Sequence, residues 1–198
     1  MNDRPSLPTP QAMQGNSERY GALLQVVEAI ASHADLQGLV QDLARLLPLL
    51  VPVNFVGLSL YDAQRDMMRL HVLRANVPAD IIGGQESHPS DTPAGLVWQT
   101  QQPVILSDLA EEHRWPKLIA LMREDAVQSC CLVPLTSAVR QLGALAFSSL
   151  EKDAYRVSDL ELMQQIGRQV AVAVENVLNR EAAAAARQDV ERQRDRFS

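Results

Sequence analysis

Long apolar runs are missing from this 198-residue chain. No stretch approaches the roughly 18 consecutive apolar residues that a membrane-spanning helix needs, so no membrane contact is expected. Basic clusters are scarce too. Lys and Arg number 18 against 24 Asp and Glu, a net charge of -6. That balance excludes a sequence-independent grip on nucleic-acid phosphates, which rests on grouped cations. The one arginine-rich stretch, "RQDVERQRDRFS", interleaves Asp189, Glu191 and Asp195 and reads as a solvated helix face. Cysteines are limited to the adjacent pair Cys130 and Cys131, too few and too close for a disulfide framework, which fits a reducing cytoplasm. The start, "MNDRPSLPTPQAMQGN", has no basic segment followed by an apolar one and so is no secretory signal. Residues 1–16 read as a disordered lead-in.

What is present is an apolar fraction of 46%, enough for one well-buried domain with helical extensions. Leu23, Val26, Val27 and Ile30, at spacings of three and four behind Ser17, predict an amphipathic helix over Glu18 to His33. Asp35 caps a second, carrying Leu36, Leu39, Val40, Leu43, Leu46 and Leu47, with Pro52 just past its end. The period then falls from 3.6 to 2. "VNFVGLSLYD" and "MMRLHVLR" flank the turn "AQRD" and predict a hairpin. From Ala75 to Gln128, prolines and glycines break the chain into short pieces: a helix at "AGLVWQTQQ", a strand at "PVILSD" and a helix at "PKLIALMRED". An interrupted connection of that length often forms a lid or binding loop. "SCCLVPL" and "QLGALAFSS" predict a second hairpin. A long helix opens at Ser158, with Glu161 three residues on in capping-box spacing, and runs to the end. Its first half, with Met163, Ile166, Val170 and Val174, packs on a sheet. Beyond Arg180, five alanines at 182–186 and a charged run suit a parallel dimer stalk, and the pattern stops in mid-course as in a fragment of a longer protein.

This order of elements resembles the GAF domain, a small-molecule sensor module. "GLVWQTQQPVILSDL", "SCCLVPL" with "LGALAFSS", and "SDLELMQQIGRQVAVAVENV" carry the resemblance, which covers Tyr20 to Asn179. It implies an α+β fold that is GAF-like and PAS-related: a twisted antiparallel sheet of five to six strands, helices on one face, a pocket-covering segment on the other, and a long C-terminal helix. The domain would span residues 17–179, with 180–198 as linker or stalk. Within the family, the arginine-rich linker is similar to that after the first GAF of tandem-GAF, sigma-54-dependent transcriptional activators of the formate hydrogenlyase activator type. Histidine kinases and cyclases carry similar segments. The resemblance implies regulation rather than enzymatic activity, a homodimer, and a small-molecule ligand of unspecified identity. A ligand-free dimerising spacer is the alternative, and a redox enzyme of the methionine sulfoxide reductase type a weaker one, since such enzymes need separated cysteines converging on one pocket.

Strand alternation then sorts candidate ligand-binding residues. Val56, Leu58 and Leu60 should face the helices, leaving Phe55, Gly57, Ser59 and Tyr61 for the pocket. Cys130 and Cys131 point to opposite faces of a strand, so they make no shared metal site. The resemblance implies that Cys131 faces the core with Val133 and Leu135, which leaves Cys130 as the pocket-side candidate, with simple packing as the competing reading. His71 is a candidate if its strand turns it inward, with a surface position as the competing reading. Trp98 and Trp115 either close a ligand pocket or plug an empty one. Asp108 either orients a polar ligand or caps a turn. Arg74 and Arg114 are open in the same way. No Ser-His-Asp order, paired carboxylates or phosphate loop is present, and no catalytic or metal-binding residue is expected.

Overall fold

The computed structural model describes residue 21, residues 35–75 and residues 82–196. The helix expected over Glu18 to His33 falls outside these, apart from Gly21, which is helical. Helix α1, Leu36–Leu46, begins where expected: the Asp35 carboxylate accepts a hydrogen bond from the Gly38 N–H at 2.7 Å. That bond satisfies one of the amides a helix start leaves open. The hairpin follows as β1, Phe55–Asp62, and β2, Met67–Arg74. Then come β3, Ile82–Ser87, and α2, Pro93–Thr100, followed by β4, Val104–Leu106, and α3, Pro116–Glu124. The second hairpin is β5, Ser129–Thr136, with β6, Gln141–Ser149, and α4 runs from Leu160 to Arg196.

The six strands form one sheet in the order β3-β2-β1-β6-β5-β4, each neighbour antiparallel. Each hairpin supplies an adjacent pair, and β1 joins β6 at the centre. Because both faces are covered, the central strands are apolar on both sides, and β1 is buried from Phe55 to Leu60. One core gathers Val56, Leu58, Val133 and Phe147 from the sheet against Leu39 and Leu43 of α1 and Ile166 and Val174 of α4. Each side chain so buried contributes about 2 kcal/mol. The other gathers Phe55, Met68, Cys130 and Leu132 against Val97 of α2 and Trp115 and Ile119 beside and within α3.

Two expectations need correction. Strand β3 was not anticipated: "IGGQES" has no apolar alternation, Gly84 takes φ 93°, and the pairing with β2 slips between Leu70 and His71. An edge strand held by β2 alone can tolerate such a sequence. The long helix is entered through a 3-10 turn, Val157–Asp159, in which the Arg156 N–H donates to Asp159 Oδ2 at 3.0 Å. Ser158 and Glu161 do not form the start.

The close fit of α2 explains its glycine. A Cβ at Gly95 would stand 1.8 Å from the Pro89 carbonyl oxygen, so only glycine lets the helix lie this near the turn before it. Thr92 caps the helix, accepting from the Gly95 N–H at 3.0 Å. Helix α4 is about 55 Å long. Val177 is its last fully buried residue, and wherever side chains are described from Asn179 on they are exposed.

Candidate ligand site

The face of the sheet turned away from α1 and α4 holds a cavity of about 160 Å³. Its floor follows from strand register. One row across the sheet runs Val72, Gly57, Ala146, Leu132; another runs Phe55, Ser148, Cys130. Gly57 and Ala146 leave the middle of the floor low: a Cβ at Gly57 would already touch the Ala146 Cβ at 3.3 Å. Helix α3 forms the roof with Leu118, Leu121 and Met122, while only Ile119 of that helix is fully buried. Trp115 and the Arg123 guanidinium, which donates to the Leu109 carbonyl at 2.6 Å, anchor the roof at its two ends.

Polar groups collect at the two ends of the cavity. By strand register Ser59, in one row with Leu70 and Gln85, lies toward one, and Ser148, paired with Cys130, toward the other. Ser59 stands opposite Ala144 and Ser148 opposite Phe55, so the two serines are four positions apart along the strands, about 13 Å. Neither hydroxyl has a hydrogen-bond partner among the described residues. Two hydroxyls open to one cavity are free to bond an occupant.

Of the sequence candidates, Phe55, Ser59 and Cys130 lie in the lining. The others lie elsewhere, each for a visible reason. Tyr61 stacks on Trp98, with ring centroids 3.8 Å apart, and its hydroxyl donates to Asp66 Oδ1 at 2.8 Å. That bond to a carboxylate raises the phenol's pKa, because ionisation would set two anions side by side. The Trp98 indole N–H donates to the Gln141 carbonyl at 3.3 Å. Trp115 is buried in the second core, and the Arg114 guanidinium covers its ring at 4.4 Å from the centroid. Neither tryptophan lines the cavity, so neither plugs it.

His71 is a correction. It pairs across the strands with Leu58, which belongs to the helix-side core, so it lies on the face opposite the cavity. Burial, with Arg69 adding to it, lowers its pKa. Asp108 ties two loops together instead of meeting the cavity. It bonds the Lys152 ammonium at 2.6 Å and the Ala110 N–H at 2.8 Å, and the Lys152 bond lowers its pKa. Arg74 lies over the Phe55 ring, 5.7 Å from its centroid, outside the lining. Arg114 is engaged by Glu112, whose carboxyl it holds down at about 2.

Cys130 and Cys131 are both free and buried, on opposite faces as expected. Burial pushes each thiol up to about 12, so both stay protonated. Sequence reasoning missed Leu70, Val72 and Ser148, which line the cavity from strands it had recognised. The signal was there: Leu70 and Val72 alternate with His71 across the hairpin, and Ser148 pairs with both Phe55 and Cys130.

A family model described as the GAF domain matches residues 33–175. The formate hydrogenlyase transcriptional activator FhlA of Escherichia coli (strain K12) is 23% identical over 169 residues, which take in 81% of this chain and 24% of that protein. The chain thus spans about a quarter of the length of that relative, and the formate hydrogenlyase activator resemblance is borne out at low identity. Among solved structures, the GAF domain of an Acinetobacter phosphoenolpyruvate-protein phosphotransferase superposes with a TM-score of 0.66 at 15% identity, covering 84% of this chain and 97% of that one. The free methionine-R-sulfoxide reductase of Neisseria meningitidis, solved with its substrate, gives 0.65 at 16% identity, covering 88% and 95%. These two likenesses concern the fold.

Proposed function

The chain belongs to the GAF domain family, and from that premise we propose that it is the small-molecule-sensing module of a transcription regulator, active as a homodimer. The observation that carries the reading is the cavity itself: a space of about 160 Å³ between sheet and α3, with unengaged hydroxyls at both ends. An opening of this kind in a close-packed protein is a default binding site. The sheet that floors it carries α4 on its other face, so an occupant would press on the layer from which α4 projects. Likeness to a transcriptional activator favours regulatory output, which would reside in parts of the regulator other than this segment.

The exposed run of α4 past Asn179, with its alanines at 182–186, supports pairing with the same helix of a second copy. A thiol-dependent enzyme is disfavoured, because Cys130 and Cys131 point apart and are held as thiols. A thermal-shift screen tests the sensing role, using small acids including formate, cyclic nucleotides, bilins and uncharged single-ring compounds. At least one compound should raise the melting temperature in proportion to the logarithm of its concentration; no shift with any compound refutes sensing. Sedimentation of a chain truncated after Asn179 tests pairing: the dimer should be lost, and an unchanged dimer sinks the stalk.

A further inference from the structure

The chemistry of the cavity narrows its occupant, on the premise that it is a ligand site. We propose that it takes an uncharged, ring-sized apolar molecule bearing one hydroxyl or amide, and rejects free carboxylates and phosphates. Size comes first. A volume of about 160 Å³ matches the roughly 150 Å³ of an engineered apolar cavity that binds benzene, and falls well short of what a nucleotide or tetrapyrrole fills.

Charge comes second. Among the described lining residues there is no Lys, Arg or His, and the charged side chain among them, Asp125, repels anions. Cys130 adds a neutral thiol. Three arginines on neighbouring segments are committed elsewhere: Arg123 to the Leu109 carbonyl, Arg114 to Glu112, and Arg74 to the face of Phe55. An entering carboxylate would shed its water and find no counter-charge, which is costly. An uncharged ring would shed only apolar surface over Gly57, Ala146 and the underside of α3. Its hydroxyl would meet Ser59 at one end or Ser148 at the other, each a donor and acceptor without a protein partner among the described residues. At about 13 Å apart, the two serines cannot both serve one ring.

The test compares three probes on the full chain at pH 7.5 and fixed ionic strength: benzyl alcohol, benzoate and formate. Benzyl alcohol should raise the melting temperature with concentration, while benzoate and formate leave it unchanged. One of Ser59→Ala and Ser148→Ala should weaken benzyl alcohol about fivefold, the worth of one net hydrogen bond. A shift by benzoate or formate equal to or larger than that by benzyl alcohol overturns the proposed ligand class and leaves the sensing role standing. Silence from all three probes and from the wider screen overturns both.

Discussion

A thiol at position 130 and one at 131 are set apart by the thickness of a sheet: Cys130 joins the cavity-side core and Cys131 the helix-side core. Both bind their proton more tightly in the folded chain than the ordinary value of 9.0 implies. Their stabilising effect is therefore fully present below pH 9 and lost as pH rises toward about 12. Tyr155, whose buried hydroxyl has no hydrogen-bond partner among the described residues, shifts upward for the same reason and adds to the loss. Melting temperature should fall between pH 9 and 11, and the Cys130→Ala/Cys131→Ala double variant should fall less steeply from its own lower starting point. Parallel curves for the two proteins would show that the thiols ionise freely. His71 runs the other way. Its lowered pKa gives a contribution present above the ordinary 6.5 and lost as pH falls, so His71→Gln should flatten the acid side of the same profile.

At the scale of elements, the tightest fit is α2 on the turn before it. Gly95→Ala drives a Cβ onto a backbone oxygen 1.8 Å away, where no flexible side chain can yield. Urea denaturation should show a loss of about 3 kcal/mol, the upper range for an overpacked site; a loss under about 1 kcal/mol would mean the turn relaxes at little cost. Elements with a strong period were legible in the sequence. The two hairpins, α1 behind Asp35 and the sheet-packing half of α4 follow directly from alternation and from spacings of three and four. Strand β3 was not, because it earns its place through hydrogen bonds to β2 and carries glycines where a pattern would show. The same limit governed the site. Alternation within β1 put Phe55 and Ser59 on the face that carries the cavity, while His71, taken without its partner strand, could be turned either way. Its pairing with Leu58 is a tertiary fact, as are the stack of Tyr61 on Trp98 and the bond from Asp108 to Lys152.

Across the whole molecule, one sheet separates two tasks. On its helix side Leu39, Leu43, Ile166 and Val174 are buried against it, whereas its other side keeps a space under α3. The relevant variant fills that space from the floor. Ala146→Leu places a branched side chain in the row between Gly57 and Leu132, pointing into the cavity, without touching the helix-side core. The decisive measurement is the melting temperature of the natural chain and of Ala146→Leu across the same compound screen. The natural chain should be stabilised by at least one compound that leaves the folded variant unmoved. Equal shifts in both proteins, or none in either, would contradict a ligand seated between this sheet and α3.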